Sequence, residues 1–232
     1  MHKKKLAVLT GAGISAESGL ATFRDSGGLW EGFDINEVAT LEAWTINPKK
    51  VLDFYNLRRT QALIAQPNLA HKGLVALESH FDVQIITQNV DDLHEKAGSK
   101  NVLHLHGELQ KARSELNENI IVDIGSTPIN IGDLAEDGAQ LRPHIVWFGE
   151  MVPMLEKAEA IIENADILVV IGSSLVVYPA AGLVHYAKPN IPKYIIDPSI
   201  PQLTSYNYWV HIKECGTIGV EQLIKKLKED YE

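Results

Sequence analysis

The chain has 232 residues, 45% of them hydrophobic and 22% charged, enough to bury one good core with a small satellite and unlike the composition of a disordered chain. A net charge of −9 and a pI near 5.5 argue against a nucleic-acid binder that works by bulk electrostatics, and make a cationic peptide the more natural partner. Cys215 is the only cysteine, which excludes an intramolecular disulfide and a cysteine zinc site built from one chain. After the basic start at residues 1–5, the apolar run stops at Thr10, too short for a signal peptide. The longest apolar region, 167–187, is broken by Gly172, Ser173, Ser174 and Pro179, so a cytoplasmic protein without a membrane segment is expected.

Residues 6–10 form an apolar run that ends in Gly11, Ala12 and Gly13, the pattern of a buried parallel strand entering a glycine turn. A helix opening near Ser15 would aim unpaired N–H groups at a point that glycine lets a ligand approach, and a pyrophosphate is the usual tenant there. A plain strand-to-helix turn satisfies the same residues. The usual dinucleotide fingerprint wants a third glycine where Ala16 stands. Beyond it, Thr22, Phe23, Arg24 and Asp25 add an aromatic and a cation, and residues 26–30 read as a flap ending in Trp30.

Further along, Asn47 followed by Pro48 predicts a capped helix over 48–66, with Val51, Tyr55, Arg58 and Ala62 on one face. Residues 68–79 have helical spacing with Leu69, Leu74 and Leu77 as core, and 81–86 read as a strand that ends in the polar set Gln88, Asn89 and Asp91. The next strand, 102–105, ends in His106 and Gly107. Of His104 and His106, at most one is expected on the inward side. From 108 to 142 the pattern changes to short strands at 120–124 and 128–131 with an acidic loop at 133–137, read as a small inserted module. The main pattern resumes with a helix at 155–163 and an unbroken β-branched strand at 167–171 that ends in Gly172, Ser173 and Ser174. A helix after 177–180, a strand at 194–196 and an amphipathic helix at 220–228 complete it. This alternation predicts an α/β fold: a doubly wound parallel Rossmann-like sheet made of residues 1–107 and 143–232, with the module between them.

Five ordered motifs cover nearly the whole chain: GAGIS with ESG and FR, TQNVD with LH, HLHG, RP with IVWFGE, and GSSL with PA. Together they resemble the signatures of the sirtuins, the NAD-dependent protein deacylases. The resemblance implies NAD as cofactor, with Gly11, Ala12, Gly13 and Ser15 on its pyrophosphate and Phe23, Arg24 and Trp30 toward nicotinamide. Gln88, Asn89 and Asp91 would line the ribose and nicotinamide pocket. Gly172, Ser173 and Ser174 would meet the adenosine half, Ile195 and Asp197 its ribose, and Cys215 the adenine. It also makes His106 the general base, assisted by Asn89 and Asp91, which suits an imidazole whose ordinary pKa is near working pH. Val146, Trp147, Phe148 and Gly149 would wall a tunnel for the acylated lysine side chain of a protein substrate. Tyr55 and Arg58, three residues apart, match the Tyr-x-x-Arg of sirtuins that remove succinyl, malonyl and glutaryl groups, a guanidinium and a phenol suited to a carboxylate.

In two places the chain departs from the family pattern. Ala112, Arg113, Ser114 and Asn117 stand where the first pair of zinc cysteines is expected, so no metal is expected and the isoleucines at 120, 121, 124, 129 and 131, with Val122, are expected to form a replacement core. At 195–197 the sequence Ile-Ile-Asp replaces the usual ribose contact. A plain deacetylase, a mono-ADP-ribosyltransferase and a catalytically weak NAD- and acyl-peptide-binding module are the alternatives. A dehydrogenase would want a third turn glycine and an acid after the second strand, which are missing.

Overall fold

The computed structural model describes residues 3–21, 29–30 (backbone only), 33–199 and 208–231. The chain starts with β1 (Lys5–Thr10) and α1 (Gly13–Ala16), then the two-residue strands β2 (Leu29–Trp30) and β3 (Phe33–Asp34). Four helices follow, α2 (Ile35–Val38), α3 (Leu41–Ile46), α4 (Pro48–Ile64) and α5 (Leu69–Leu77), and then β4 (Asp82–Thr87), α6 (Leu93–Ala97) and β5 (Val102–His104). The middle of the chain holds β6 (Gly107–Ser114), β7 (Ile121–Asp123) and β8 (Leu141–Ile145). Last come α7 (Leu155–Glu163), β9 (Ile167–Ile171), a 3₁₀ helix Ala180–Tyr186, β10 (Lys193–Ile196), β11 (Trp209–Ile212) and α8 (Gly216–Tyr231).

Six strands form one parallel sheet in the order β11-β10-β9-β1-β4-β5. Alternate residues leave its two faces. Leu6, Val8, Ile85 and Val169 meet Leu74 of α5 and Leu223 of α8, while Ala7, Leu9, Leu168 and Ile195 meet Ala158 and Ile162 of α7 and the 3₁₀ helix. All five residues of β9 are buried, at roughly 1.5–3 kcal/mol for each large apolar side chain, which fixes this strand in the middle of the sheet. Because the chain leaves β1 toward β4 on one side and returns to β9 on the other, the order reverses beside β1, and a crevice opens at the strand C-termini there.

A second sheet, antiparallel in the order β7-β6-β8, occupies residues 107–145. It carries α4 on one face. Asn47 caps that helix by accepting from Lys50 N at 3.1 Å, a contact that typically contributes about 1 kcal/mol. Arg59 Nε donates to the Leu109 carbonyl at 2.6 Å, and Asn56 pairs with both the N–H and the carbonyl of Ile129, so α4 is fastened to the module by polar contacts as well as packing. The expected isoleucine core forms only in part: Ile129 is buried and Ile124 packs at the edge of the cluster, but Ile121, Val122 and Ile131 are exposed. Leu109, Ala112, Ile145 and Trp147 take their place against α4. Residues 128–131 form no strand, because Asn56 already holds the Ile129 backbone groups. Ser114 organises the turn after β6 by donating to Asp137 at 2.7 Å while accepting from Leu116 N and Asn117 N. Among the described residues, no group of three or more His, Cys, Asp or Glu could hold a metal ion. In α5, Leu69 is 70% exposed rather than core, since it opens the helix directly after the Asn68 cap on the outward side.

Two histidines are buried beneath β1. His94 Nε2 lies 3.1 Å from Thr10 Oγ1, His71 Nδ1 donates to Asn68 Oδ1 at 3.1 Å, and the rings meet edge to face at 4.9 Å. Burial pushes His71 down to about 4, partly offset by Glu95, and His94 well below its ordinary value, with His71 and His104 adding to the depression. A depressed folded-state pKa gives stability that is present above the unfolded value of 6.5 and is lost as pH falls toward 4. His104 and Asp91, both raised, act in the opposite sense. Urea unfolding at pH 7 and pH 4.5 should therefore show a smaller acid-induced loss in His71→Gln than in the wild type, by roughly 2 kcal/mol. Parallel stability curves for the two proteins would rule out this contribution.

Candidate active site

The crevice at the strand ends is one continuous cleft of about 740 Å³, within the usual size of a ligand site. Its floor is where the turn after β1 meets the end of β9. Gly13 N donates to the Gly172 carbonyl at 2.9 Å, and Gly11 N to the Ile171 carbonyl at 3.0 Å. A Cβ on Gly172 would lie 2.4 Å from Ile14 N, and its φ of +60° is the left-handed region, so only glycine lets the two turns close together. Ala12, Gly13 and Ser15 line the cleft, whereas Gly11 is spent on this packing. The expected row of unpaired helix N–H groups is corrected. Helix α1 has four residues, and the amides of Gly13, Ile14 and Ser15 bond to the carbonyls of Gly172, Gly11 and Ala12.

At the end of β4, Gln88, Asn89 and Asp91 all line the cleft. They are tied to the glycine turn through Ser15, which donates to Asp91 Oδ2 and accepts from Asn89 Nδ2, both at 3.1 Å. Burial raises the Asp91 carboxyl, against the Leu93 N–H and Ser15 hydroxyl that hold it as a carboxylate. Gln88 Nε2 donates to Ser173 Oγ at 2.9 Å, so Ser173 supports the site from behind while Gly172 and Ser174 line it.

His106 faces this polar set and His104 does not. Two residues apart in a strand they would share a face, but β5 ends at His104. His104 turns to Glu95 at 2.9 Å and to the Asn89 carbonyl, which lifts its pKa despite burial and steadies the Asn89 backbone. His106 Nδ1 lies 3.1 Å from the Gln88 carbonyl, an acceptor only, so the proton of the neutral ring sits on Nδ1 and Nε2 is the nitrogen left to take another. Burial lowers its pKa, partly offset by that hydrogen bond, which keeps the ring unprotonated near neutral pH. Gly107 has a φ of +83°, and a Cβ there would lie 1.9 Å from the His144 carbonyl. Glycine lets the chain turn from His106 directly into β6.

Tyr55 and Arg58 of α4 form the inner wall, 1% and 7% exposed. Trp147 Nε1 donates to the Tyr55 hydroxyl at 3.0 Å, and burial pushes that phenol far up, so it stays protonated. Val146, Trp147, Phe148 and Gly149 line the adjoining wall together with Ile145. At the far end, Asp197 and Cys215 line the cleft, and Cys215 Sγ lies 3.3 Å from Glu17 Oε1. Ile195 is corrected: it points into the core on the opposite face, and Ile196 lines the cleft in its place. Phe23, Arg24 and the Trp30 side chain lie outside the described residues. Sequence reasoning missed Glu17, which lines the cleft and accepts from Thr217 N and Oγ1 at 2.9 and 2.6 Å, joining α1 to α8. It also missed Val176, Tyr178 and Ser199. The signal for Glu17 was its place inside the ESG motif.

Comparison with known proteins follows the same outline. The chain is 52% identical over 226 residues to an NAD-dependent protein deacylase of Helicobacter pylori strain J99, covering 97% of this chain and 96% of that protein. It is 50% identical to one of Bacteroides thetaiotaomicron, covering 95% and 96%. Among solved structures, a Sir2 homolog–NAD complex superposes with a TM-score of 0.87 at 37% identity, over 99% of this chain and 91% of that one. The Sir2 family model matches residues 11–179, which hold β4, β5 and β9 of the parallel sheet and the whole of the module, and the chain belongs to the Sir2 family.

Proposed function

We propose that the cleft takes NAD along its glycine-turn half and an acylated lysine side chain against the Tyr55–Arg58 wall, and that succinyl and malonyl groups are removed in preference to acetyl. The chain is an NAD-dependent protein deacylase, the activity named for relatives of about half identity across its length. The fit of NAD is chemical. Ala12 and Gly13 present backbone where a pyrophosphate would lie, and Ser15, Gln88, Asn89 and Asp91 present groups suited to ribose hydroxyls and a carboxamide. Gly172 and Ser174, with Asp197 and Cys215 beyond them, are assigned to the adenosine half, and Phe23, Arg24 and Trp30 to the nicotinamide end. When bound, NAD supplies the ribose that accepts the acyl group, with nicotinamide as leaving group.

The chain's own residues then have separate tasks. His106 Nε2 takes a proton from a ribose hydroxyl, and the Gln88 carbonyl fixes its tautomer. Asn89 and Asp91, locked together through Ser15, orient the reacting groups with little freedom left to lose. The walls at Ile145–Phe148 keep water from the lysine stem. One observation carries the acyl preference: a guanidinium and a phenol, both nearly fully buried, line the same cleft as His106. A buried cation on a cleft wall favours an anionic ligand, and a carboxylate at the end of an acyl chain is of that kind.

The proposed substrates are acylated lysines of proteins. A cytoplasmic location is proposed with them; among the described residues no helix is long and apolar enough to cross a membrane. Turnover of one lysine peptide carrying acetyl, malonyl or succinyl tests the preference. Higher kcat/KM for succinyl and malonyl than for acetyl is expected, and an outright preference for acetyl would overturn the finer reading while leaving deacylation in place.

A further inference from the structure

Two arginines on neighbouring strands of the module converge on one carboxylate beside the cleft. Arg113 of β6 and Arg142 of β8 are direct cross-strand partners, an arrangement that is unfavourable for like charges. Glu150 lies between their guanidinium groups. Its Oε1 is 2.7 Å from Arg142 Nη1 and its Oε2 is 3.1 Å from Nη2, while Arg113 Nη2 lies 3.2 and 3.3 Å from the two oxygens. The side chains of Arg142, Arg113 and Glu150 are 4%, 9% and 12% exposed, so solvent screens this group little.

The same residues hold Trp147. Glu150 Oε2 accepts from the Trp147 backbone N–H at 2.7 Å, and the Arg142 guanidinium carbon sits 3.3 Å from the centre of the indole ring. The far edge of that ring donates Nε1–H to the Tyr55 hydroxyl at 3.0 Å. This donation occupies a lone pair of Tyr55 and leaves the phenol its own proton to give to a ligand.

We infer that Arg142, clamped by Glu150, is a positioning residue for the acyl end of the cleft: it holds the Trp147 ring where its indole N–H sets Tyr55 to donate to a carboxylate. The inference rests on the carboxyl-acyl reading above. Arg142 touches no substrate in this account and acts through Trp147. Lysine at this position keeps the charge but gives up both the paired hydrogen bonds and the planar stacking on the indole.

The test is Arg142→Lys, assayed on succinyl-lysine and acetyl-lysine versions of one peptide, alone and combined with Tyr55→Phe. KM for succinyl-lysine should rise about tenfold, the worth of one hydrogen bond, with kcat and the acetyl-lysine constants within about twofold. In the Tyr55→Phe background, Arg142→Lys should leave the succinyl-to-acetyl ratio unchanged. Equal losses of kcat on both substrates, or the same ratio change in both backgrounds, would overturn the inference. Trp147→Phe keeps an aromatic ring without the indole donor, so it should lower the succinyl-to-acetyl ratio of kcat/KM, whatever it does to turnover of both, even if Arg142→Lys fails to fold. NMR exchange of the Trp147 indole proton gives a readout independent of acyl class, and faster exchange in Arg142→Lys is expected. A wild-type enzyme that prefers acetyl-lysine removes the carboxyl-acyl reading, while unchanged indole exchange removes the Arg142 coupling itself.

Discussion

Replacing His106 by alanine should lower deacylation by about 10²–10⁴-fold while NAD still binds, because a positioned general base contributes that much to a proton-transfer step. Alanine removes the one ring nitrogen in the cleft's polar set that is free to accept a proton, yet leaves the Ser15–Asn89–Asp91 contacts intact. The pH dependence has a definite sign. Burial lowers the His106 pKa below its ordinary 6.5, so kcat/KM should rise with pH through a midpoint below that value and be level near neutrality. Turnover unchanged in His106→Ala would remove the assignment, and a midpoint above the ordinary value would contradict the burial that shapes it.

Arg58→Ala should lower kcat/KM on succinyl-lysine by about ten- to several-hundredfold and leave acetyl-lysine nearly untouched. A hydrogen bond to a charged group contributes roughly 1.5–3 kcal/mol, and leaving a substrate carboxylate unpaired beside a buried wall costs at least as much. Arg58 is 7% exposed and Tyr55 next to it is 1% exposed, so little water can replace the lost guanidinium. The effect belongs to kcat/KM, since the contact holds the acyl end in both ground and transition states. Equal losses on both substrates would make Arg58 a structural residue of α4.

Much of this architecture was readable from local pattern, and the exceptions have physical causes. The five-residue run of β9 and the Asn47–Pro48 start of α4 are set by their own residues, and the structure keeps both close to the expected bounds. Gln88, Asn89, Asp91, His106, Tyr55, Arg58 and the wall from Val146 to Gly149 are brought together in one cleft, as the motifs imply. Strand β6 was not legible, because its buried Arg113 is neutralised by Glu150, a partner far along the chain that leaves no local signal. Strand β11 was missed as well, lying at the sheet edge with Trp209 and His211 half-buried and Val210 exposed. The choice between Ile195 and Ile196 depends on which face of β10 meets the cleft, and only pairing with β9 fixes that parity. Ile121 and Val122, neighbours on the edge strand β7, are both exposed because α4 packs mainly on β6 and β8, so β-branched composition alone does not say which strand of a small sheet is covered.

Whether deacylation consumes NAD as proposed is decided by nicotinamide release, measured with a succinyl-lysine peptide and with the same peptide unmodified. Release is expected only with the acylated peptide, one nicotinamide for each lysine freed, and the succinyl group recovered on ADP-ribose. Release at the same rate with the unmodified peptide, or ADP-ribose attached to protein while the lysine keeps its acyl group, would contradict the proposed reaction.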